Sequence, residues 1–239
     1  MRRLAVVLVA LTALTTLALA EPASTPNAFE PVLHRFLSRA DEPLVTYRGT
    51  RRLEGRNERF NVSGWMEIAT ELTADGFHYR VIDEGGSDLI RGRVFRSMLE
   101  SEEQIFANGD AARSSFTSIN YDLTAADASE PGLVKLFARP KRKDITLIDG
   151  AVYITDTDAD LVRVEGQLAK SPSFWTRRVE VVKQYARVAG LRVPVRVDST
   201  AQIRFAGPST MTMTYEYEMV NGVNTSSSPA IAALERWRR

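Results

Sequence analysis

The 239-residue sequence contains no cysteine and only two histidines, His34 and His78. Without cysteine, disulfides, thiol catalysis and cysteine-ligated metal sites are excluded. The histidines fall in a predicted helix and a predicted strand, and neither has the supporting residues that a zinc triad or a Ser–His–Asp triad requires. Both are interpreted as ordinary exposed or partly packed residues.

The usual signatures of nucleotide use and of hydrolysis are missing as well. The sequence has no Gly-Lys-Ser/Thr loop, no dinucleotide-binding fingerprint and no Gly-x-Ser-x-Gly elbow. We therefore predict no catalytic residue, no metal ligand and no cofactor. The protein is not expected to be an enzyme.

The first 20 residues have the layout of a secretory signal peptide. Arg2 and Arg3 precede an uncharged run that ends in Ala18-Leu19-Ala20, directly before Glu21. This run is somewhat short for a membrane span of roughly 20 apolar residues, although an uncleaved anchor is the alternative. No cysteine follows the predicted cleavage point, so a bacterial lipid anchor is excluded. We predict a soluble mature protein in the periplasm or the medium.

The charges of the chain almost cancel. The sequence holds 31 Lys and Arg against 30 Asp and Glu, a formal charge of +1. Because the predicted leader contains two arginines and no acid, the rest of the chain carries one net negative charge. A nearly neutral protein has no long-range field to attract polyanions. We therefore expect no nucleic acid as partner, and near-neutrality also weakens the case for an anionic membrane.

Hydrophobic periodicity predicts a mainly β, α+β protein. After a polar spacer (21–27), helical spacing recurs over 29–37 and again from Ser87 or Asp88 to about Gly109. Elsewhere the period is two, as in β-strands with one buried face. The first predicted strand starts at Leu44. The other ten cover 60–72, 77–83, 116–124, 132–139, 145–148, 152–155, 161–169, 174–188, 193–205 and 210–220.

These elements predict a single domain over residues 28–222, followed by a C-terminal tail (223–239) that is either frayed or a last helical turn. The domain is expected to be a half-open barrel of about eleven antiparallel strands, covered by two or three helices. A long curved sheet cannot bury its whole apolar face by self-contact unless it closes, so helices must cover one side. That arrangement resembles a hollow with a lid.

Methionine-rich apolar positions are the candidate lining of this hollow. Methionine is flexible and polarizable, which suits loosely shaped apolar ligands. The alternative for each of these side chains is plain filling of a core. The predicted ligand-binding residues are Met66, Ile68, Met98, Ile203, Phe205, Met211, Met213 and Tyr215.

Two charged features of the sequence are candidate binding sites. Asp156, Asp158 and Asp160 have the alternate spacing of a calcium loop, but Leu161 and Gln167 occupy the positions where such a loop needs glycine and glutamate. An acidic hairpin turn is the favoured interpretation, with weak calcium binding left open. The basic run 139–143 is interpreted as a solvated loop that also protects a strand edge.

The order of the elements resembles the superfamily of periplasmic lipoprotein carriers LolA and LolB, with the related sensor domain of RseB/MucB proteins. Those proteins share a leader, an N-terminal helix, three long strands, a covering helix and an unclosed run of strands. Exported bacterial proteins grouped loosely with this superfamily are similar in three segments, DLVRVEGQLAKSPSFWTRRVEVV (160–182), GLRVPV (190–195) and MTYEYEMVNG (213–222).

This resemblance implies a half-barrel that shields acyl chains, with a lipid or an acylated protein as partner. It carries over no catalytic residue. A second interpretation is a sensor or interaction module, in which a sheet edge or groove binds an envelope protein without any lipid, because long edge strands accept added strands.

Overall fold

In a computed structural model of the chain, the structure describes residues 29–39, 42–109, 113–126 and 130–225. The predicted leader, the polar spacer and most of the tail lie outside these ranges. The described residues form one antiparallel, unclosed sheet of eleven strands with helices packed on one face. This confirms the predicted fold class. No helix among these residues is both long enough and apolar enough to cross a membrane.

The chain begins with helix α1 (Glu30–Ser38) and runs on into three long strands. A helical stretch follows, and the rest of the described chain is β-structure. The helical stretch consists of α2 (Asp88–Ile90), a π-helical segment (Arg91–Arg96) and α3 (Ser97–Ala107). The strands are β1 (Tyr47–Asn57), β2 (Val62–Thr73), β3 (Gly76–Gly86), β4 (Tyr121–Ala125), β5 (Leu133–Pro140), β6 (Ile148–Thr155), β7 (Leu161–Leu168), β8 (Thr176–Val188), β9 (Leu191–Ile203), β10 (Gly207–Val220) and β11 (Val223–Asn224).

The sheet consists of two antiparallel meanders, β1–β3 and β4–β10, which are joined by the pairing of β1 with β10. Its order is β3-β2-β1-β10-β9-β8-β7-β6-β5-β4, and the short β11 pairs with β10. All pairs are antiparallel. Because β1 pairs with β10 while β3 and β4 stay unpaired with each other, these two strands form the edges of an open half-barrel.

The predicted count of eleven strands is reached in a different way. In place of the strands expected at 145–148 and 152–155 there is one strand, β6 (Ile148–Thr155), while 145–147 precede it outside any strand, and the count is restored by β11. Gly150, which lies between these two predicted strands, pairs with Gly166 inside the sheet. A Cβ at Gly150 would lie 2.2 Å from the Glu165 carbonyl oxygen, so glycine is needed here for close strand approach.

The turn between β9 and β10 also differs from the expected one. It was predicted over 206–209, but β10 already begins at Gly207 and the turn is formed by 204–206. Phe205 adopts a left-handed conformation in this turn, with φ of 65°. Such a conformation is unusual for a bulky residue, and it removes Phe205 from the alternating pattern of the strand.

Two glycines seat the helical stretch on the sheet. Gly55 of β1 and Gly64 of β2 face each other, and a Cβ on either would come within about 3.0 to 3.3 Å of Ile90. Ile90 and Phe95 therefore reach the strands closely, and Phe95 is fully buried. Burial of a side chain of that size contributes roughly 1.5–3 kcal/mol.

Candidate functional site: the inner face of the sheet

The inner face of the sheet, defined here as the face that packs against the helices, is covered unevenly. The helical stretch contacts β2 and β3, and α1 contacts β4. In the sheet order, β7 to β10 lie between these two regions. The inner face of these four strands therefore lies between the helical stretch and α1.

The less covered part of this face is called the inner strip. Its residues follow from the strand register: Val179 pairs with Ala201, and Val181 pairs with Ser199, which in turn pairs with Met211. Val181 is buried at the centre, while its neighbours on both sides are half-buried. The inner strip comprises Val179, Val181, Ser199, Ala201, Ile203 and Met211.

The predicted lining residues separate into three groups. Met66, Ile68 and Met213 are at most 6% exposed and belong to the close-packed core, against which Met98 and Tyr215 also pack. Ile203 and Met211 lie in the inner strip. Phe205 lies in the turn at the end of β9 and is 79% exposed. A ligand contact of any of these residues stays a prediction.

Two sizeable depressions of the molecule lie on the opposite, outer face. One of about 500 Å³ spans β7 to β10, and its walls are the outward-pointing side chains of Glu180, Asp198 and Thr212, among others. A second of about 320 Å³ continues it past Thr212 to Trp65. Charged side chains take part in both linings, Glu180 in the first depression and Glu54 in the second.

A charged cluster is enclosed between the sheet and α3. Arg51 of β1 is only 4% exposed, and its two terminal nitrogens donate to the two oxygens of Glu102 at 2.7 and 2.9 Å. Arg51 also donates to the Tyr47 hydroxyl, and its guanidinium lies 4.7 Å from the ring centroids of Phe77 and Tyr215. Burial by itself lowers the pKa of Arg51, but Tyr215 and Glu102 raise it overall.

Tyrosines surround this cluster and stay protonated. Burial raises the pKa of Tyr185 to about 12, and it also raises the pKa of Tyr215 and Tyr217. The Tyr217 hydroxyl donates to the Pro194 carbonyl oxygen at 2.8 Å. The polar part of the inner face is therefore a fixed structural unit that joins α3 to the sheet.

Lys183 of β8 is a further charged residue on the inner face. It pairs with Val164 and Val197, whose side chains are buried. Within the described ranges it forms no hydrogen bond or salt bridge. Burial lowers the pKa of its ammonium group, and the Glu102 carboxylate opposes this. Sequence reasoning missed both Lys183 and Arg51, although each interrupts an apolar alternation at an inward position.

Replacing Lys183 by methionine is expected to raise the free energy of unfolding at neutral pH by about 1 kcal/mol. The folded-state pKa lies below the ordinary 10.5, so the unfolded state binds more protons between these two values and wild-type stability rises with pH there. The advantage of the variant should thus shrink as the pH approaches 10.5. Urea unfolding at several pH values measures it; a constant or growing difference would contradict the burial argument.

The acidic turn considered for calcium is engaged by arginines. Asp160 receives two hydrogen bonds from Arg187, at 2.6 and 2.9 Å. Arg35 and Arg39 of the N-terminal segment donate to the carbonyl oxygens of Asp156 and Asp158. No group of three or more metal-ligating side chains occurs within the described part of the chain. The turn fastens α1 to the end of the sheet.

The basic run 139–143 is similarly bound into its surroundings. Arg142 donates to the Asn120 side-chain oxygen at 2.6 Å and to the Arg113 carbonyl oxygen at 2.7 Å. Lys141 donates to the Ser118 carbonyl oxygen at 2.8 Å. These contacts agree with the structural interpretation of this loop.

The fold and the site define an open antiparallel half-barrel whose inner face is partly covered by helices. No family model matches the chain, and no curated protein matches it. Among solved structures, it is similar to a LolA superfamily protein from Nitrosomonas europaea, with 13% identity, a TM-score of 0.37 and coverage of 78% of this chain and 90% of that one. It is also similar to a DUF1329 family protein from Desulfovibrio piger, with 6% identity, a TM-score of 0.36 and coverage of 79% and 89%.

The first of these structures comes from the superfamily that the sequence resembles.

Proposed function

We propose that the protein binds the apolar part of a lipid or of an acylated protein on the inner strip, and that it does so in the periplasm, after removal of the predicted leader. The observation that carries the proposal is the half-buried state of Val179, Ala201 and Met211 between the helical stretch and α1. Apolar side chains that face inward but are not fully covered offer burial to an acyl chain, at about 0.8 kcal/mol per methylene group.

The shape of the strip supports an elongated ligand. Its residues follow β8 and β9 side by side, and successive inward residues of a strand lie about 6.6 Å apart. The row on β9 runs from Ser199 through Ala201 to Ile203 and ends at the turn of 204–206. An acyl chain lying along this row would enter at that end of the sheet.

Lipid extraction followed by mass spectrometry of the protein purified from its own envelope tests this proposal directly. A second assay measures the fluorescence of dansyl-undecanoic acid as the protein is added. We expect Ser199→Arg to weaken probe binding at least about tenfold, because a charge enters the apolar strip.

The matched control is Thr200→Arg, one residue along the same strand with its side chain on the outer face. It should bind the probe within about twofold of the wild type, since the same charge is added outside the strip. Circular dichroism verifies that both variants fold. The absence of co-purified lipid together with no uptake of the probe by the wild type would overturn the proposal.

A further inference from the structure

One end of the sheet exposes four large aromatic side chains. Phe60 is 60% exposed, Phe174 is 71%, Trp175 is 57% and Phe205 is 79%. Phe60 belongs to the β1–β2 turn, Phe174 and Trp175 to the loop before β8, and Phe205 to the β9–β10 turn. Phe174 and Trp175 contact each other edge to face, and the Trp175 ring lies 6.4 Å from that of Phe205. A contiguous exposed apolar patch is typical of an interaction site, whereas single exposed apolar side chains are common on any protein surface.

The same end carries a recess lined by four arginines. It has a volume of about 370 Å³, and Arg59, Arg177, Arg178 and Arg204 line it together with Phe205. Arg178 forms a salt bridge with Glu180 at 3.0 Å. In the described part of the chain, Arg59, Arg177 and Arg204 have no acidic partner. Arg204 instead lies 4.4 Å from the centroid of the Phe174 ring. The aromatic and arginine residues named in these two paragraphs are called the rim.

The rim is held in place by hydrogen bonds between its turns. The buried Asn57 side chain donates to the Ala206 carbonyl oxygen at 3.0 Å and accepts from the Phe60 backbone N–H at 3.0 Å. The Arg204 backbone N–H donates to the Trp175 carbonyl oxygen at 2.8 Å. Three separate turns are thus joined into one surface, and its exposed aromatic side chains are presented by a fixed backbone.

We infer that the rim docks the protein on the surface of a bilayer that contains anionic lipids. Arginines without acidic partners attract phosphate groups, and every basic residue close to an anionic surface strengthens the attraction. Amphipathic and aromatic rings are stabilised at the boundary between headgroups and acyl chains. An acidic protein surface would satisfy the arginines equally well, but it would leave four exposed aromatic rings without an apolar environment.

The position of the rim agrees with a membrane-facing role. The inner strip ends at Ile203, which also lines the arginine recess. Docking therefore brings the open end of the strip to the headgroup layer. The docking surface itself stands whether or not the strip holds a ligand, since none of its aromatic rings belongs to the strip.

Binding to extruded vesicles tests the inference, with one set made of phosphatidylcholine alone and one containing 30% phosphatidylglycerol, about the proportion that gives a marked negative surface potential. Cosedimentation should show the wild type on the anionic vesicles, with weaker binding at high salt because the charges are screened. Two variants remove the two components separately: Arg177→Gln with Arg204→Gln, and Phe174→Ser with Trp175→Ser.

Each double variant is expected to raise the lipid concentration for half-maximal binding by about tenfold. The matched control, Arg80→Gln with Arg93→Gln, removes the same charge from exposed sites on β3 and the π-helical segment, and it should stay within about twofold. All substituted side chains are exposed, so unchanged circular dichroism is expected. Quenching of tryptophan fluorescence by brominated acyl chains should fall sharply in Trp175→Ser.

Three outcomes would overturn the inference. The first is a wild type that fails to bind anionic vesicles, and the second is a wild type that binds neutral vesicles equally well. The third is a control double variant that loses as much binding as the arginine double variant. If the wild type ignores vesicles but binds polyglutamate through Arg177 and Arg204, the rim takes an acidic protein and the bilayer assignment is wrong. Lipid found in the purified protein without vesicle binding would support the proposed function and still contradict the docking surface.

Discussion

Replacement of Glu102 by alanine is expected to lower the free energy of unfolding by about 3–5 kcal/mol. The substitution leaves the guanidinium of Arg51, which is 4% exposed, without its bidentate partner between the sheet and α3. Loss of the partner of a buried charge costs more than the pair itself contributes, because the remaining charge stays desolvated. Urea unfolding followed by tryptophan fluorescence measures the change.

The double variant Arg51→Met with Glu102→Leu distinguishes the loss of the ion pair from the cost of a buried charge left without its partner. It removes both charges and is expected to be less destabilised than Glu102→Ala alone. Arg52→Gln is a matched surface control, since Arg52 is 44% exposed and its pairs with Glu54 and Glu67 are solvated; it should change stability by less than about 1 kcal/mol. A single Glu102 variant that is as stable as this control would show that the Arg51 charge reaches water.

Replacement of Met213 by arginine is expected to unfold the protein or to destabilise it by at least about 4 kcal/mol. The sequence predicts Met213 as a lining residue of the hollow, with filling of a core as the alternative. In the structure, Met213 is 6% exposed and pairs with Leu53 and Val197, which are buried as well. An arginine there would place an unpaired charge in the core.

Two comparisons isolate the cause. Met213→Leu keeps the volume and should cost less than about 1.5 kcal/mol. Met211→Arg changes the next inward residue of the same strand, which is half-buried, and should leave the protein folded because the guanidinium can extend to solvent. Thermal unfolding of the three variants orders them. If Met213→Arg is as stable as Met211→Arg, the core is hollow at this point.

Local patterns predicted most of the elements, since helix and strand periods are written in the order of residues. The apolar spacing of Val32, Leu33 and Phe36 places α1 correctly, and the alternation over 60–72 places β2, which covers Val62–Thr73 in the structure. The errors occur where the neighbouring residues in the sequence suggest one conformation and the contacts of the folded chain impose another. Gly150 lies between two predicted strands, but in the structure it is inside one strand, where close strand pairing requires a glycine. Phe205 continues an alternation, but its backbone turns away from the strand.

The candidate site was predicted less well than the fold, because burial is decided by which strands become neighbours. Met66, Met211 and Met213 alternate alike in the sequence, yet Met66 and Met213 are buried in the core, while Met211 packs against it and stays half-buried. Arg51 and Lys183 were visible as charged residues at inward positions. Their different states, one paired with Glu102 and one without a partner in the described chain, depend on where α3 lies over the sheet.

The sequence by itself determined the absence of cysteine chemistry and of the common catalytic motifs, the predicted leader, the near-neutral charge and the antiparallel, mainly β composition. These are properties of residue types and of their local order. The tertiary structure decided where the charge and the aromatic surface gather. Arg59, Arg177 and Arg204 lie far apart in the chain, and only the pairing of β1 with β10 and of β8 with β9 joins their turns at one end of the sheet. A nearly neutral chain thus presents a strongly basic, aromatic rim, because net charge is a sum over residues and recognition depends on their positions.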